Sequence, residues 1–222
     1  MTSPHTLGRK ELERLIIHNI PRDAFMACED AYYGGDVKGR SHASIFERGH
    51  RPSAAGSVKH FFINESFHEA LVTLGAEPTP LRGTRLVVGR LGIFNVARLN
   101  VPGHKWVNLQ RSATRKKLAE LNDSIGRKYV QNDFFAEASE PTGGTIFIVG
   151  VMDGQDENGI SQLTQVMLAL PAADMKSWLY MSTIADFLKL YDRVEDIVQP
   201  DNAKPKLKPH TKKQTDNDQG NQ

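Results

Sequence analysis

The chain lacks most of the features that assign a protein to a membrane or to an oxidising compartment. Cys28 is the only cysteine among 222 residues, which excludes an intramolecular disulfide and any zinc site built from several cysteines. The longest apolar run, residues 146–152, is far shorter than the roughly 20 residues of a membrane-spanning helix. Charges at Arg9, Lys10 and Glu11 stand where a signal peptide would be apolar. Because free thiols are typical of reducing compartments, we expect a cytoplasmic protein without membrane contact.

The motifs of common catalytic and metal-binding sites are also missing. No Gly-x-Ser-x-Gly element of a hydrolase occurs. In residues 49–57, Gly56 is followed by Ser57 where a phosphate-binding loop requires lysine. The acidic loop at residues 153–159 is followed by Thr164 where a calcium loop requires glutamate. We therefore expect no cofactor and no metal, and we favour a non-catalytic function while leaving catalysis open.

One acidic residue, Glu65, is kept as a candidate catalytic group. It shares part of a predicted helical face with His68 and Glu69, and such groups could serve metal binding or acid–base catalysis. An HExxH motif needs two histidines around its glutamate, and this run has one. The solvated polar face of a helix is therefore the better interpretation of these residues.

What the chain does have is an uneven distribution of charge. Its formal net charge is only +2. Residues 81–130, here called the basic segment, carry eleven basic and two acidic residues. Residues 131–199, the acidic segment, carry three basic and eleven acidic residues. Blocks of one sign indicate a charged partner, or charge compensation inside the fold.

Residues 82–128 of the basic segment predict contacts with nucleic-acid phosphates, most simply those of DNA. Cations that bind phosphates release condensed counterions, and this release contributes affinity. The predicted phosphate-binding residues are Arg98, Lys105, Arg111, Arg115, Lys116 and Lys117. Two alternatives stay open: the basic segment pairs with the acidic segment of the same chain or of a second copy, or it binds an acidic protein. Trp106 could stack on a base, although burial in the core is the better interpretation.

Helical periodicity covers much of the N-terminal part of the chain. Residues 7–33 have apolar residues at helical spacing and are interrupted by a proline, so two helices are predicted. Residues 34–40 contain three glycines and are predicted to form a loop. A further helical region over residues 53–74 is predicted to be capped by Ser53 and divided at Asn64.

The pattern then changes to that of strands. The predicted strands lie at residues 85–90, 93–101, 105–109, 145–152 and 162–170. A helix over residues 112–127 is predicted between the third and fourth strands, and a closing helix over residues 171–191 is predicted to break near Ser182 and Thr183. These elements predict an α+β fold with about five strands in one antiparallel or mixed sheet covered by helices.

The order of helix, three-strand meander, helix and strand over residues 53–152 resembles the core of the PD-(D/E)xK nuclease superfamily. This resemblance implies a metal site with a carboxylate on the second strand and a Glu-x-Lys type motif on the third. Asn95 and Asn100 stand on the second predicted strand instead, and Lys105 on the third has no acidic partner. The resemblance therefore implies a DNA-binding relative without two-metal chemistry. A metal-dependent nuclease that uses Glu65, on the preceding helix, is the remaining alternative.

The C-terminal residues differ in composition from the rest of the chain. Residues 200–222 hold three prolines, and their five lysines alternate with polar residues that cannot build a core. We predict a single domain over residues 1–199, followed by a disordered tail over residues 200–222.

Overall fold

The sequence folds into helices and one sheet, and the predicted α+β class is confirmed. The computed structural model describes residues 4–83, 85–103, 105–130, 140–157 and 159–195. The helices are α1 (Pro4–Asn19), α2 (Arg22–Ala43), α3 (Arg51–Thr73), α4 (Ala113–Ala119), α5 (Asp123–Tyr129) and α6 (Ile184–Glu195). The strands are β1 (Val88–Leu91), β2 (Phe94–Pro102), β3 (Gly144–Gln155), β4 (Ser161–Pro171) and β5 (Trp178–Thr183). The predicted domain boundary and tail lie outside the described residues.

The five strands form one mixed sheet in the order β1-β2-β3-β4-β5. β2 and β3 are parallel, and the other three neighbouring pairs are antiparallel. Parallel neighbours need a crossover connection, and here it runs through α4 and α5. The predicted strands at 145–152 and 162–170 are confirmed as β3 and β4.

The central strand β3 is buried on both faces, as its nearly continuous apolar sequence predicts. Ile146 and Ile148 face a core formed with α1, α2, α3 and α6, whereas Phe147 and Val149 face a smaller core under the crossover. The sheet is therefore the middle layer, with the long helices on one face and α4 on the other, while α5 packs beside α1 and places Ile125 in the larger core.

The predicted loop at residues 34–40 is wrong, because these residues belong to the helix α2. Their glycines have a packing role instead: a Cβ at Gly35 would lie 2.8 Å from the Cα of Ile63, and one at Gly39 would lie 2.6 Å from the Cα of Lys59. The missing side chains thus allow α2 and α3 to approach closely. The predicted break at Pro21 is confirmed, since α1 ends and α2 begins around it.

The helix α3 begins earlier than predicted and is not divided. It starts at Arg51, and the N-cap residue His50 makes no side-chain capping bond, so the predicted cap at Ser53 is wrong. The division at Asn64 is also wrong, because the buried amide of Asn64 contacts His60 on the preceding turn and the helix continues past it.

The third predicted strand, residues 105–109, is also wrong. A 3₁₀ helix occupies Trp106–Arg111, after a turn in which Lys105 N–H donates to Pro102 O. Trp106 packs edge-to-face on Trp178, with ring centroids 5.8 Å apart, and is half-buried in the smaller core. The three-strand meander on which the PD-(D/E)xK resemblance was based is therefore a two-strand hairpin.

Two predicted helices are shorter than expected. In place of the first half of the closing helix, the structure has the end of β4, a turn and the strand β5. α6 starts after Thr183, whose hydroxyl accepts from Asp186 N–H, so the predicted break near Thr183 marks this boundary. The helix over residues 112–127 is interrupted at Asn122. Its buried amide donates to Thr145 O and Pro171 O and accepts from Thr145 N–H, so it ties the crossover to two strands.

Candidate functional site

The sheet has an open edge where β1 is shorter than β2. β1 pairs with residues 94–97 of β2, and one more backbone bond joins Arg98 N–H to Val87 O. The remainder of β2 extends beyond β1, between α3 on one face of the sheet and α4 on the other. A cleft of about 930 Å³ lies at this edge.

The charged side chains that line the cleft are all cationic. They are Arg85, Arg98, Arg115 and Lys117. Neutral polar groups accompany them, from Asn64, Asn95, Asn100, Ser112 and Thr114. Since no carboxylate of the described residues lines the cleft, its electrostatic potential favours anions.

Arg98 is the most deeply buried of these cations, with 3% of its surface exposed. Its Nη1 donates to His60 O at 3.3 Å, and its Nη2 lies 3.2 Å from His60 Nδ1. The guanidinium carbon is 5.8 Å from the ring centroid of Tyr32. Among the residues that the structure describes, Nε has no hydrogen-bond partner and no carboxylate forms an ion pair with Arg98. Burial lowers the pKa of Arg98, although an arginine remains protonated in proteins.

A second buried cation, Lys59, has a carboxylate partner, which it shares with Arg40. It is 3% exposed, as Arg98 is. Its ammonium lies 3.3 Å from Asp36 Oδ1 and donates to the backbone and hydroxyl oxygens of Ser161. Arg40 Nε donates to the other oxygen of Asp36 at 2.9 Å. The fold therefore pairs one buried cation with a carboxylate and leaves the other, in the cleft, without one.

His60 forms the wall of the cleft beside Arg98. Burial and, secondarily, the charge of Arg98 lower the pKa of His60, so its ring is neutral at pH 7. Arginine can only donate, so Nδ1 accepts and the ring proton lies on Nε2. Asn64 Nδ2 lies 3.2 Å from Nε2, and a 180° turn of the amide would place its oxygen there as the acceptor of this proton. The ring is thus held on both sides.

Tyr32 of α2 positions β2 at Leu99, next to Arg98. Its hydroxyl lies 3.0 Å from Leu99 N, 2.7 Å from Leu99 O and 2.6 Å from Ile148 O, between the parallel strands β2 and β3. Burial raises the pKa of Tyr32, so the group stays protonated and can donate as well as accept. Gly150 makes room for the ring, because a Cβ there would lie 2.5 Å from Tyr32 Cε1.

The structure brings together three of the six predicted phosphate-binding residues. Arg98, Arg115 and Lys117 line the cleft, whereas Lys105, Arg111 and Lys116 are exposed outside its lining. Arg115 is half-buried, with its pKa lowered by burial, and its Nη1 donates to Leu109 O at 3.5 Å.

Sequence reasoning missed Arg85, His60 and the amides of the cleft as site residues. A signal was present on β2, where Asn95, Arg98 and Asn100 interrupt an otherwise apolar strand. For His60 no local signal distinguishes it from the other polar residues of α3.

The remaining candidate groups lie elsewhere. Glu65 is exposed on α3 and does not line the cleft. Cys28 is buried, and burial raises the pKa of its thiol to about 12, which leaves the thiol protonated and a poor nucleophile. Within the described ranges, no three histidine, cysteine, aspartate or glutamate side chains lie together as a metal site would require.

None of the described helices is both long enough and apolar enough to cross a bilayer.

The basic and acidic segments are joined by one ion pair between described residues, Lys128–Glu140. Arg127 pairs with Asp123 inside the basic segment. Lys176 and Lys189 pair with Asp174 and Asp186 inside the acidic segment. Direct pairing between the two segments therefore does little to neutralise the described cations of the basic segment.

Comparisons with protein-family models, with curated proteins and with solved structures find no match for this chain.

Proposed function

We propose that the protein binds nucleic acid, most simply DNA, through phosphates that enter the cleft beside β2. The observation that supports this proposal is a cleft lined by four cations, Arg85, Arg98, Arg115 and Lys117, and by no described carboxylate. Arginine recognises phosphate oxygens through paired N–H groups, and amide side chains add neutral donors. The exposed Lys105, Arg111 and Lys116 extend the positive surface beyond the cleft.

The test is the salt dependence of binding. Fluorescence anisotropy with labelled single-stranded DNA, duplex DNA and RNA is measured between about 50 and 200 mM salt, a range over which a site with six to ten phosphate contacts loses roughly 10³–10⁵ in affinity. We expect strong binding at the lower concentration and a steep linear decrease of log K with log salt. Undetectable binding of all three probes at about 50 mM salt contradicts the proposal.

A pair of double variants tests whether the cleft is the site. Arg115→Gln with Lys117→Gln removes two cleft cations, and Lys105→Gln with Lys116→Gln removes two exposed cations outside it. The cleft variant is expected to lose more affinity. On single-stranded DNA, the magnitude of its slope of log K against log salt should decrease by about 0.7 per lost contact. Equal losses in the two variants would show that contacts are spread over the whole basic segment.

A second candidate function is interaction with an acidic protein partner or with a second copy of the chain. Among the described residues only Lys128–Glu140 pairs the two segments, and this favours the second candidate, because most described cations of the basic segment keep their charge for another molecule. Size-exclusion chromatography with light scattering, without nucleic acid, tests self-association. A dimer at low salt that dissociates at high salt supports this candidate, and a monomer at both excludes pairing between copies.

A further inference from the structure

We infer that the buried end of the cleft, formed by Arg98, His60, Asn64 and Asn100, binds a phosphate monoester. The monoester is either the terminal phosphate of a nucleic-acid strand or the phosphate of a small organic molecule. For the strand end, the inference rests on the proposed nucleic-acid binding and deepens it. For the small molecule, it stands alone.

The first argument is the unpaired charge of Arg98. Burying a cation without a counter-charge is strongly unfavourable, and Lys59 shows that this fold can supply a carboxylate to such a group. Two of the five N–H groups of Arg98 contact His60. The remaining three N–H groups, which include that of the unpartnered Nε, can donate to an anion.

The second argument is the number of charges. A phosphate monoester carries a charge of about −1.5 to −2 at neutral pH, whereas a phosphodiester carries one negative charge. Three further cations, Arg85, Arg115 and Lys117, line the same cleft. The cleft as a whole therefore carries more positive charge than a single phosphodiester group neutralises.

The third argument is access. Arg98 is 3% exposed. A phosphate that carries a sugar on each side is therefore hindered from reaching it, whereas a phosphate at the end of a molecule is not. The cleft volume of about 930 Å³ lies within the roughly 300–1,000 Å³ of small-molecule sites.

The fourth argument is the rest of the wall. Leu86, Val88, Leu118 and Leu121 line the cleft beside the cations. This apolar surface fits the organic body of a phosphorylated molecule, such as a nucleoside, and offers little to inorganic phosphate alone.

The experiment uses the full chain and two sets of probes. Isothermal titration calorimetry compares adenosine monophosphate, adenosine and inorganic phosphate. Anisotropy compares one short single-stranded oligonucleotide with a 5′-phosphate, with a 3′-phosphate and with hydroxyls at both ends. We expect a terminal phosphate, on the nucleotide or on the strand, to increase affinity at least about tenfold, as two charge-assisted hydrogen bonds would.

The variants are Arg98→Met and, as a matched control, Lys116→Met on the exposed side of α4. Arg98→Met should lose the preference for the phosphorylated probe while unfolding at the same or a higher denaturant concentration, because it removes an uncompensated charge. Lys116→Met should keep the preference. If Arg98→Met does not fold, Arg98→Lys is used, which keeps the charge but loses the paired N–H geometry. It should bind the phosphorylated probe several-fold more weakly than the wild type.

The outcomes separate the two proposals. An Arg98-dependent preference for a phosphorylated strand end supports the monoester site with a strand as the source. Arg98-dependent binding of adenosine monophosphate without oligonucleotide binding supports the site with a small molecule as the source, and contradicts nucleic-acid binding. If oligonucleotides bind equally with and without terminal phosphates and the nucleotide does not bind, the monoester site is refuted while nucleic-acid binding stands. Unchanged affinity in the Arg98 variants also refutes it.

Discussion

Two residues of similar burial, Lys59 and Arg98, have opposite surroundings in this protein. Lys59 contacts a carboxylate and two oxygens of Ser161, so removing its charge leaves Asp36 with Arg40 alone. Within the described part of the chain, the partners of Arg98 are neutral: the ring and the carbonyl of His60 and the face of Tyr32. A buried charge without a counter-charge lowers the stability of the fold. Such charges are typical of functional sites, because binding needs them.

At the same scale, Tyr32→Phe is expected to destabilise the protein by about 1–3 kcal/mol. The substitution removes a buried hydroxyl that lies between Leu99 N and the carbonyls of Leu99 and Ile148. These backbone groups are left without that partner at the junction of β2 and β3. The free energy of unfolding from urea titrations measures the loss.

The neighbouring Tyr33 provides the control for this substitution. It is on the same helix and is 43% exposed, so Tyr33→Phe should change stability by no more than about 0.5 kcal/mol. Equal effects of the two substitutions, or a neutral Tyr32→Phe, would show that β2 and β3 close their own ladder and do not need the hydroxyl.

At the scale of elements, α2 and α3 are matched by a repeat of small residues. Ala31, Gly35, Gly39 and Ala43 follow one another at intervals of four on α2 and are buried. Gly35 and Gly39 lie against Ile63 and Lys59 of α3. This close contact places the two long helices side by side over the sheet, and so positions both Tyr32 and His60 around Arg98.

The adjacent glycines of α2 give a test of this packing. Gly35→Ala is expected to destabilise the protein by about 1–3 kcal/mol through overpacking, because the new Cβ would lie 2.8 Å from backbone atoms of Ile63. Gly34→Ala meets nothing within 4 Å and should stabilise the helix by up to about 1 kcal/mol. Thermal or urea unfolding of both variants measures the difference. A stabilising Gly35→Ala would mean that the helices can separate without cost.

At the scale of the whole molecule, the chain carries its charge in blocks, and the tail holds only a small share of the charged residues. Residues 200–222 contribute five of the 28 basic residues and three of the 26 acidic ones. A chain ending at residue 199 is therefore expected to unfold within about 0.5 kcal/mol of the full chain. Its nucleic-acid affinity should fall far less than that of the variant lacking Arg115 and Lys117. A large loss of stability in the urea titration would show that the tail belongs to the domain.

Much of the fold was predictable from local patterns. Some predictions depend only on residues close together in sequence, and these are confirmed. They are the helix break at the proline between α1 and α2, the strand β3 from its apolar run, and the antiparallel return of β4. The errors at residues 34–40, 105–109 and 178–183 share one cause, which is a contact with a distant part of the chain. Residues 105–109 read as a strand, but Trp106 turns to pack on Trp178. Residues 178–183 read as a helix, but they pair with β4.

For the site, composition alone identified the basic segment, because charge is a property of the residues whatever their arrangement. Only the tertiary structure separated Arg98, Arg115 and Lys117 from Lys105, Arg111 and Lys116, and only it added Arg85 and His60. A cleft exists where β2 extends past β1 between two helices, and its depth depends on packing between residues far apart in sequence. The same packing decides that Lys59 is compensated and Arg98 is not. A residue's charge is encoded locally, whereas its burial and its partners are set by the fold.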